Sequence, residues 1–201
     1  MNYTYRIYDG VDLGGDTVIE DFCIVGAPPR GCAEGELKTE IGTGAHIRSH
    51  TVIYAGNKIG KNLQTGNKVN IRELNEIGDD VSIGTLSVIE HHVIIGNNVR
   101  IHSQVFVPEY SVLEEGSWLG PNVVLTNAKY PLSRDAKKNL KGPIIKRGAK
   151  VGANSTVLPG VVIGENALIG AGSVVVQDVP DNGVAVGNPA RVIKNIKELP
   201  Y

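Results

Sequence analysis

An all-β fold, built as a coil of short parallel strands, is predicted for this 201-residue chain by three observations. From Ile41 to Leu125 every sixth position is aliphatic, with Thr65 the lone exception, and a second run goes from Ile145 through Val151, Val157, Ile163 and Ile169 to Val175. Glycine often follows the aliphatic residue, as at Gly42, Gly60, Gly78, Gly96, Gly152 and Gly164. Four positions after it comes a small or β-branched residue, such as Ala45, Thr51, Val69, Val93, Val105 or Ser155.

A period of six fits neither an amphipathic helix at about 3.6 nor an alternating strand at 2. It fits a short strand with one inward residue and a corner, repeated. Three such strands close an eighteen-residue coil that rises by the ordinary strand spacing of about 4.8 Å. A β-sandwich is the competing all-β arrangement, but its strands recur every 8 to 12 residues or so with variable loops. The repeat domain is expected over 1–180, with a fainter beat at Val18 and Ile24 and interrupting loops near 26–40 and 126–144. A C-terminal extension over 181–201 follows, in which RVIKNIKEL at 191–199 reads as a short helix.

Composition agrees and excludes several functions. Twenty-five glycines with 5% aromatics suit narrow, uniform layers joined by tight corners. A net charge of -1 argues against nucleic acid or anionic membrane as partner. The start MNYTYRIYDG lacks a basic, then apolar, signal segment, and two cysteines make no disulfide framework, so a cytoplasmic setting is expected. No metal is expected: the five histidines, at 46, 50, 91, 92 and 102, do not offer zinc a converging ligand set.

With these hexads goes the ending DVPDNGVAVGNPAR at 178–191, and together they resemble the hexapeptide-repeat acyltransferases from Val18 onward. The resemblance implies a left-handed parallel β-helix, a homotrimer with sites between prisms, and acetyl-CoA as co-substrate. It implies that the pantetheine arm runs past Gly152, Ala153, Gly170 and Ala171. Asn188 and Pro189 belong to the GNPAR signature, and Arg191 or Lys194 suits the nucleotide phosphates.

The segment GPNVVLTNAKYPLS, from Gly120 to Ser133, bears on the acceptor. Members that acetylate hydroxyls keep a histidine before the proline, where this chain has Tyr130. A hydroxyl needs a base to take its proton, whereas a neutral amine attacks with its own lone pair. The segment looks like the branch that N-acetylates nucleotide-linked amino sugars. That implies substrate contacts at Thr126 and Asn127, with Asn127 orienting the amine or stabilising the oxyanion. Counting by eighteen stacks Glu73, His91, Glu109 and Asn127 in one column, which makes His91 and His92 candidates for a base or a substrate contact. His102 is a further candidate. The loop after Asn127 carries Lys129, Arg134, Lys137, Lys138 and Lys141 against one acid, Asp135, and so forms a basic arm that could meet a diphosphate. The alternatives are a sugar O-acetyltransferase using His91 or His92, a non-catalytic assembly prism, and a zinc enzyme like the γ-carbonic anhydrases.

Overall fold

The computed structural model describes residues 4–200; positions 1–3 and 201, the outer ends of the two expected domains, lie outside the described residues. Short strands, most of two residues, wind into a three-faced parallel β-helix. The first face runs from Arg6–Ile7 and Ile24–Ala27 to Val124–Leu125, Thr156–Val157 and Val174–Val175. The second begins at Val11–Leu13 and ends at Val162–Ile163, and the third begins at Val18–Ile19. Within the uninterrupted run, partners in neighbouring coils are eighteen residues apart, as in Ile71↔Ile89 and Ile77↔Ile95.

Most strands turn one aliphatic residue inward, and these residues stack with the small and β-branched layer into one continuous core. Ile53, Ile71, Ile89, Val107 and Leu125 are fully buried along the first face. Thr65 is buried in the same layer, and its exception has a local cause. The Arg48 guanidinium occupies the Thr65 carbonyl at 2.7 Å, and the Thr65 hydroxyl takes over as acceptor for the Arg48 N–H at 2.8 Å. A valine there would orphan that donor.

Sequence and structure part company in two places. At the N-terminus the beat at Val18 and Ile24 marks outward residues; Val18 is 50% exposed, while the neighbouring Val25 is the buried one. The coil also starts earlier than the hexads suggest, with strands at Arg6–Ile7 and Val11–Leu13. At the C-terminus the expected helix is a strand, Ala190–Asn195, followed by a single 3-10 turn, Ile196–Glu198. That strand pairs antiparallel with Gly183–Gly187, which itself extends the third face. The β-branched pair Val192–Ile193 and an available sheet edge outweigh the helical preference of the last few residues.

Both long loops leave from the same edge, where the first face turns into the second. Residues 28–38 join Ile24–Ala27 to Thr39–Ile41, and residues 126–143 join Val124–Leu125 to Ile144–Ile145. The second loop thus replaces one ordinary corner, and Leu125 finds its next-coil partner in Val157.

Candidate active site

The edge between these loops carries, coil by coil, Tyr54, then Arg72–Glu73, then Glu90–His91–His92, then Glu109–Tyr110, then Thr126–Asn127. Asn127 donates from Nδ2 to Oε2 of Glu109 at 2.6 Å and lies 3.3 Å from the Glu109 main-chain oxygen. A carboxylate can only accept, so this contact fixes which way the amide points. With both amide hydrogens turned toward Glu109, Oδ1 of Asn127 is left as the outward-acting acceptor. The Asn127 carbonyl accepts from the Lys141 main-chain N–H at 2.9 Å, which draws the loop together at its base. The other carboxylate oxygen of Glu109 faces Nε2 of His91 at 3.6 Å, and Nδ1 of His91 meets Nδ1 of His92 at 2.8 Å.

One coil earlier lies a charged network that sequence reading missed. Arg72 grips Glu73 through Nε at 2.8 Å and Nη2 at 2.9 Å, and reaches Glu90 through Nη1 at 3.2 Å. Its guanidinium carbon stands 5.2 Å from the centre of the Tyr54 ring. Burial alone would raise the Glu73 carboxyl, but the Arg72 fork, a main-chain donor and nearby His91 hold it below its ordinary value. The same fork raises the Arg72 guanidinium. Counting by eighteen from Arg72 reaches Glu90, so the signal was present in the sequence.

Other expected site residues are dispersed. The Thr126 hydroxyl donates to the Val157 carbonyl at 2.9 Å, inside the coil. Lys129 and Tyr130 lie out on the loop, with Lys129 Nζ 5.6 Å from the centre of the exposed Tyr130 ring. His102 stands on a different edge, where the third face turns into the first, in one column with Gly120 and Gly152. Its ring lies 4.7 Å from that of Trp118, and its Nε2 is buried without a hydrogen-bond partner. Burial, reinforced by the positive charge of Arg100, pushes the His102 imidazole below its ordinary value.

Gly152, Ala153, Gly170 and Ala171 share that edge. A Cβ on Gly152 would lie 2.5 Å from the Ala171 nitrogen, and one on Gly170 would lie 2.7 Å from Val186 Cγ1. Coil packing therefore already demands glycine at Gly152, where the clash is with main chain, whereas at Gly170 only the exposed Val186 side chain would have to shift. Ala171 and Gly172 are exposed, and a Cβ on Gly172 would have nothing within 4 Å, so a strip of the edge is open to a thin chain. Asn188 and Pro189, joined by a cis peptide bond, form the exposed turn between the last two strands. Arg191 is exposed on the last strand, with Nη1 on the Ala190 carbonyl at 2.9 Å. Among the described residues no three His, Cys, Asp or Glu converge as metal ligands, and no helix is long and apolar enough to cross a membrane.

The chain matches the sequence model of the bacterial transferase hexapeptide (six repeats) at residues 76–109 and 142–177. Over 49 residues it is 57% identical to the dTDP-3-amino-3,6-dideoxy-α-D-galactopyranose 3-N-acetyltransferase of Aneurinibacillus thermoaerophilus, covering 24% of this chain and 26% of that one. Over 86 residues it is 45% identical to the galactoside O-acetyltransferase of Lactococcus lactis, covering 41% and 42%. The chain spans between 26% and 60% of the length of the curated relatives it matches. Among solved structures, the Bacillus cereus BC4754 gene product, provisionally named an acetyltransferase, aligns at 31% identity and a TM-score of 0.58. That alignment covers 69% of this chain and 77% of that one. The chain belongs to the hexapeptide-repeat transferase family, and its prism is that family's left-handed parallel β-helix.

Proposed function

We propose that the chain is an acetyltransferase that uses acetyl-CoA to acylate the amino group of a nucleotide-linked amino sugar. The site edge suits an amine. Oδ1 of Asn127 can accept one N–H of a neutral amine and turn its lone pair toward an incoming thioester. Attack forms the N–C bond and the C–S bond breaks. The surplus proton on nitrogen passes to the departing thiolate, so no external base is consumed. The observation that carries this reading over hydroxyl acylation is the setting of His91, whose Nδ1 is bonded to Nδ1 of His92 at 2.8 Å and whose Nε2 faces the Glu109 carboxylate at 3.6 Å. An imidazole with Nδ1 taken up and Nε2 turned toward a carboxylate is poorly placed to take a proton from an alcohol. The Aneurinibacillus relative, an N-acetyltransferase of a dTDP-amino sugar by name, supports the same acceptor class.

For the donor, the open strip at Ala171 and Gly172 fits a thin pantetheine chain, and the exposed Arg191 fits its phosphates. The two strips lie on opposite edges of the first face, so a whole site needs the donor strip of one copy beside the acceptor strip of another. A homotrimer does this three times over. The outward row of the first face, with Val88 half-buried and Phe106 and Val124 exposed, supports contact with a second copy. The basic loop would then cover the diphosphate.

Mass spectrometry on acetyl-CoA and paired acceptors tests the proposal, with UDP- and dTDP-linked amino sugars set beside their hydroxyl counterparts. Acetylation of an amino member and not of its hydroxyl twin is expected. Acetylation confined to hydroxyl members would overturn it.

A further inference from the structure

The contact between His91 and His92 has a consequence for hydrogen placement. The two Nδ1 atoms are 2.8 Å apart, with the rings nearly perpendicular at 84°. In the neutral pair one Nδ1 must carry hydrogen and the other must not, because two lone pairs, or two N–H groups, cannot face each other at that distance. If His91 carried it, the bare Nε2 of His91 would face the Glu109 carboxylate at 3.6 Å, acceptor against acceptor. If His92 carries it, His91 keeps its hydrogen on Nε2 and points it at Glu109. Only the second assignment makes the His91–His92 hydrogen bond without setting a lone pair against the carboxylate.

We propose that His92 is a positioning residue of this edge: its Nδ1–H donates to Nδ1 of His91, fixes His91 as the Nε2–H tautomer, and so holds the Glu109 carboxylate between His91 and Asn127. Glu109 then takes a hydrogen bond from Nδ2–H of Asn127 on Oε2 at 2.6 Å and has the polar Nε2–H of His91 turned toward Oε1 at 3.6 Å, an electrostatic contact longer than a hydrogen bond. The neighbouring coils agree with this assignment. Glu73 stands in the column one coil before His91, and Glu90 precedes it on the same coil. Arg72, one coil earlier, is engaged by those two carboxylates. Tyr110 flanks the pair from the following coil, its ring 5.7 Å from that of His92 and tilted by 35°. His92 itself occupies the left-handed corner position, at φ +56°. The inference rests on the acceptor-site reading only for its effect on turnover; the tautomers belong to the protein alone.

Long-range ¹H–¹⁵N correlation on the full-length protein with ¹⁵N-labelled histidine, at about pH 8.5 and so some two units above the ordinary imidazole value, tests the assignment. Opposite tautomers are expected: His91 with hydrogen on Nε2, and His92 with hydrogen on Nδ1, the minor form of free imidazole. Replacing His91 by Asn should return His92 to the ordinary Nε2–H form. His92 as Nε2–H in the unaltered protein, or His91 as Nδ1–H, would overturn the proposal. In turnover, His92→Gly, which tolerates the positive φ, should lower kcat about tenfold with KM little changed. His92→Asn, which also tolerates that φ and offers an amide N–H, should recover most of it. Equal loss in both variants would overturn the positioning role. Absence of acetylation with every amino acceptor, alongside the expected tautomers, would instead overturn the acceptor assignment.

Discussion

Asn127 and Glu109 stand one coil apart on the same edge and are joined by a 2.6 Å hydrogen bond from the amide to the carboxylate. Asn127 is thereby held twice, since its own carbonyl accepts from Lys141 where the basic loop returns. The residue that closes the loop and the residue proposed to face the acceptor are one and the same. The loop departs at Asn127 itself, and its return is tied there by the Lys141 N–H.

The coil packing around Gly152 gives a stability prediction. A methyl group there would meet the main chain of Ala171 and Ile169 at 2.5 and 2.7 Å. Gly152→Ala is expected to cost about 1–3 kcal/mol. Gly15→Ala, with nothing within 4 Å, should change stability by less than about 0.5 kcal/mol. Thermal unfolding of both variants at one protein concentration checks this; equal midpoints would show that packing does not set the glycine.

Glu73 gives an acid dependence. Its carboxyl is held below 4.5 in the fold, so near that pH the unfolded chain binds more protons than the native one. The stabilisation from the Arg72 pair is fully present above 4.5 and is lost as pH falls through the lower native value. Urea unfolding should therefore show the unaltered protein more stable than Glu73→Gln at pH 7, with the gap closing as pH falls below 4.5. A gap that persists unchanged in acid would contradict the pairing.

His102 gives a second dependence. Its native value lies below 6.5, so it opposes folding only as pH drops from 6.5 through that lower value. The lone tryptophan of the chain, Trp118, has its ring 4.7 Å away and reports the event, because a protonated imidazole quenches indole emission. Emission should fall with a midpoint below 6.5, and His102→Gln should abolish the step. A midpoint above 6.5 would contradict the burial argument.

Sequence made the repeat legible because each coil must place a residue of similar volume in the same layer, which leaves a strict period. The column Glu73, His91, Glu109, Asn127 followed from the same count, and the structure links its last three members in a chain of contacts. His102 could have been set apart by counting too, since it is not a multiple of eighteen from His91. The N-terminal phase was unreadable because Val18 and Ile24, though outward, are as β-branched as the inward residues, and the loop at 28–38 resets the count. The tail was misread because RVIKNIKEL satisfies strand and helix about equally, and only the free edge beside Gly183–Gly187 decides it. The left-handed corner at His92 recurs every sixth residue from His50 to Asn122 and so was countable, but the spacing does not encode how the two imidazole rings meet.

A double-mutant cycle on kcat/KM with an amino-sugar nucleotide acceptor tests most directly the claim that Asn127 and Glu109 act as one acceptor device. Asn127→Ala and Glu109→Gln should each lower kcat/KM about 100-fold, and the double variant should lose little more than the worse single one. Single variants that work like the unaltered protein, or losses that simply multiply in the double variant, would contradict the account.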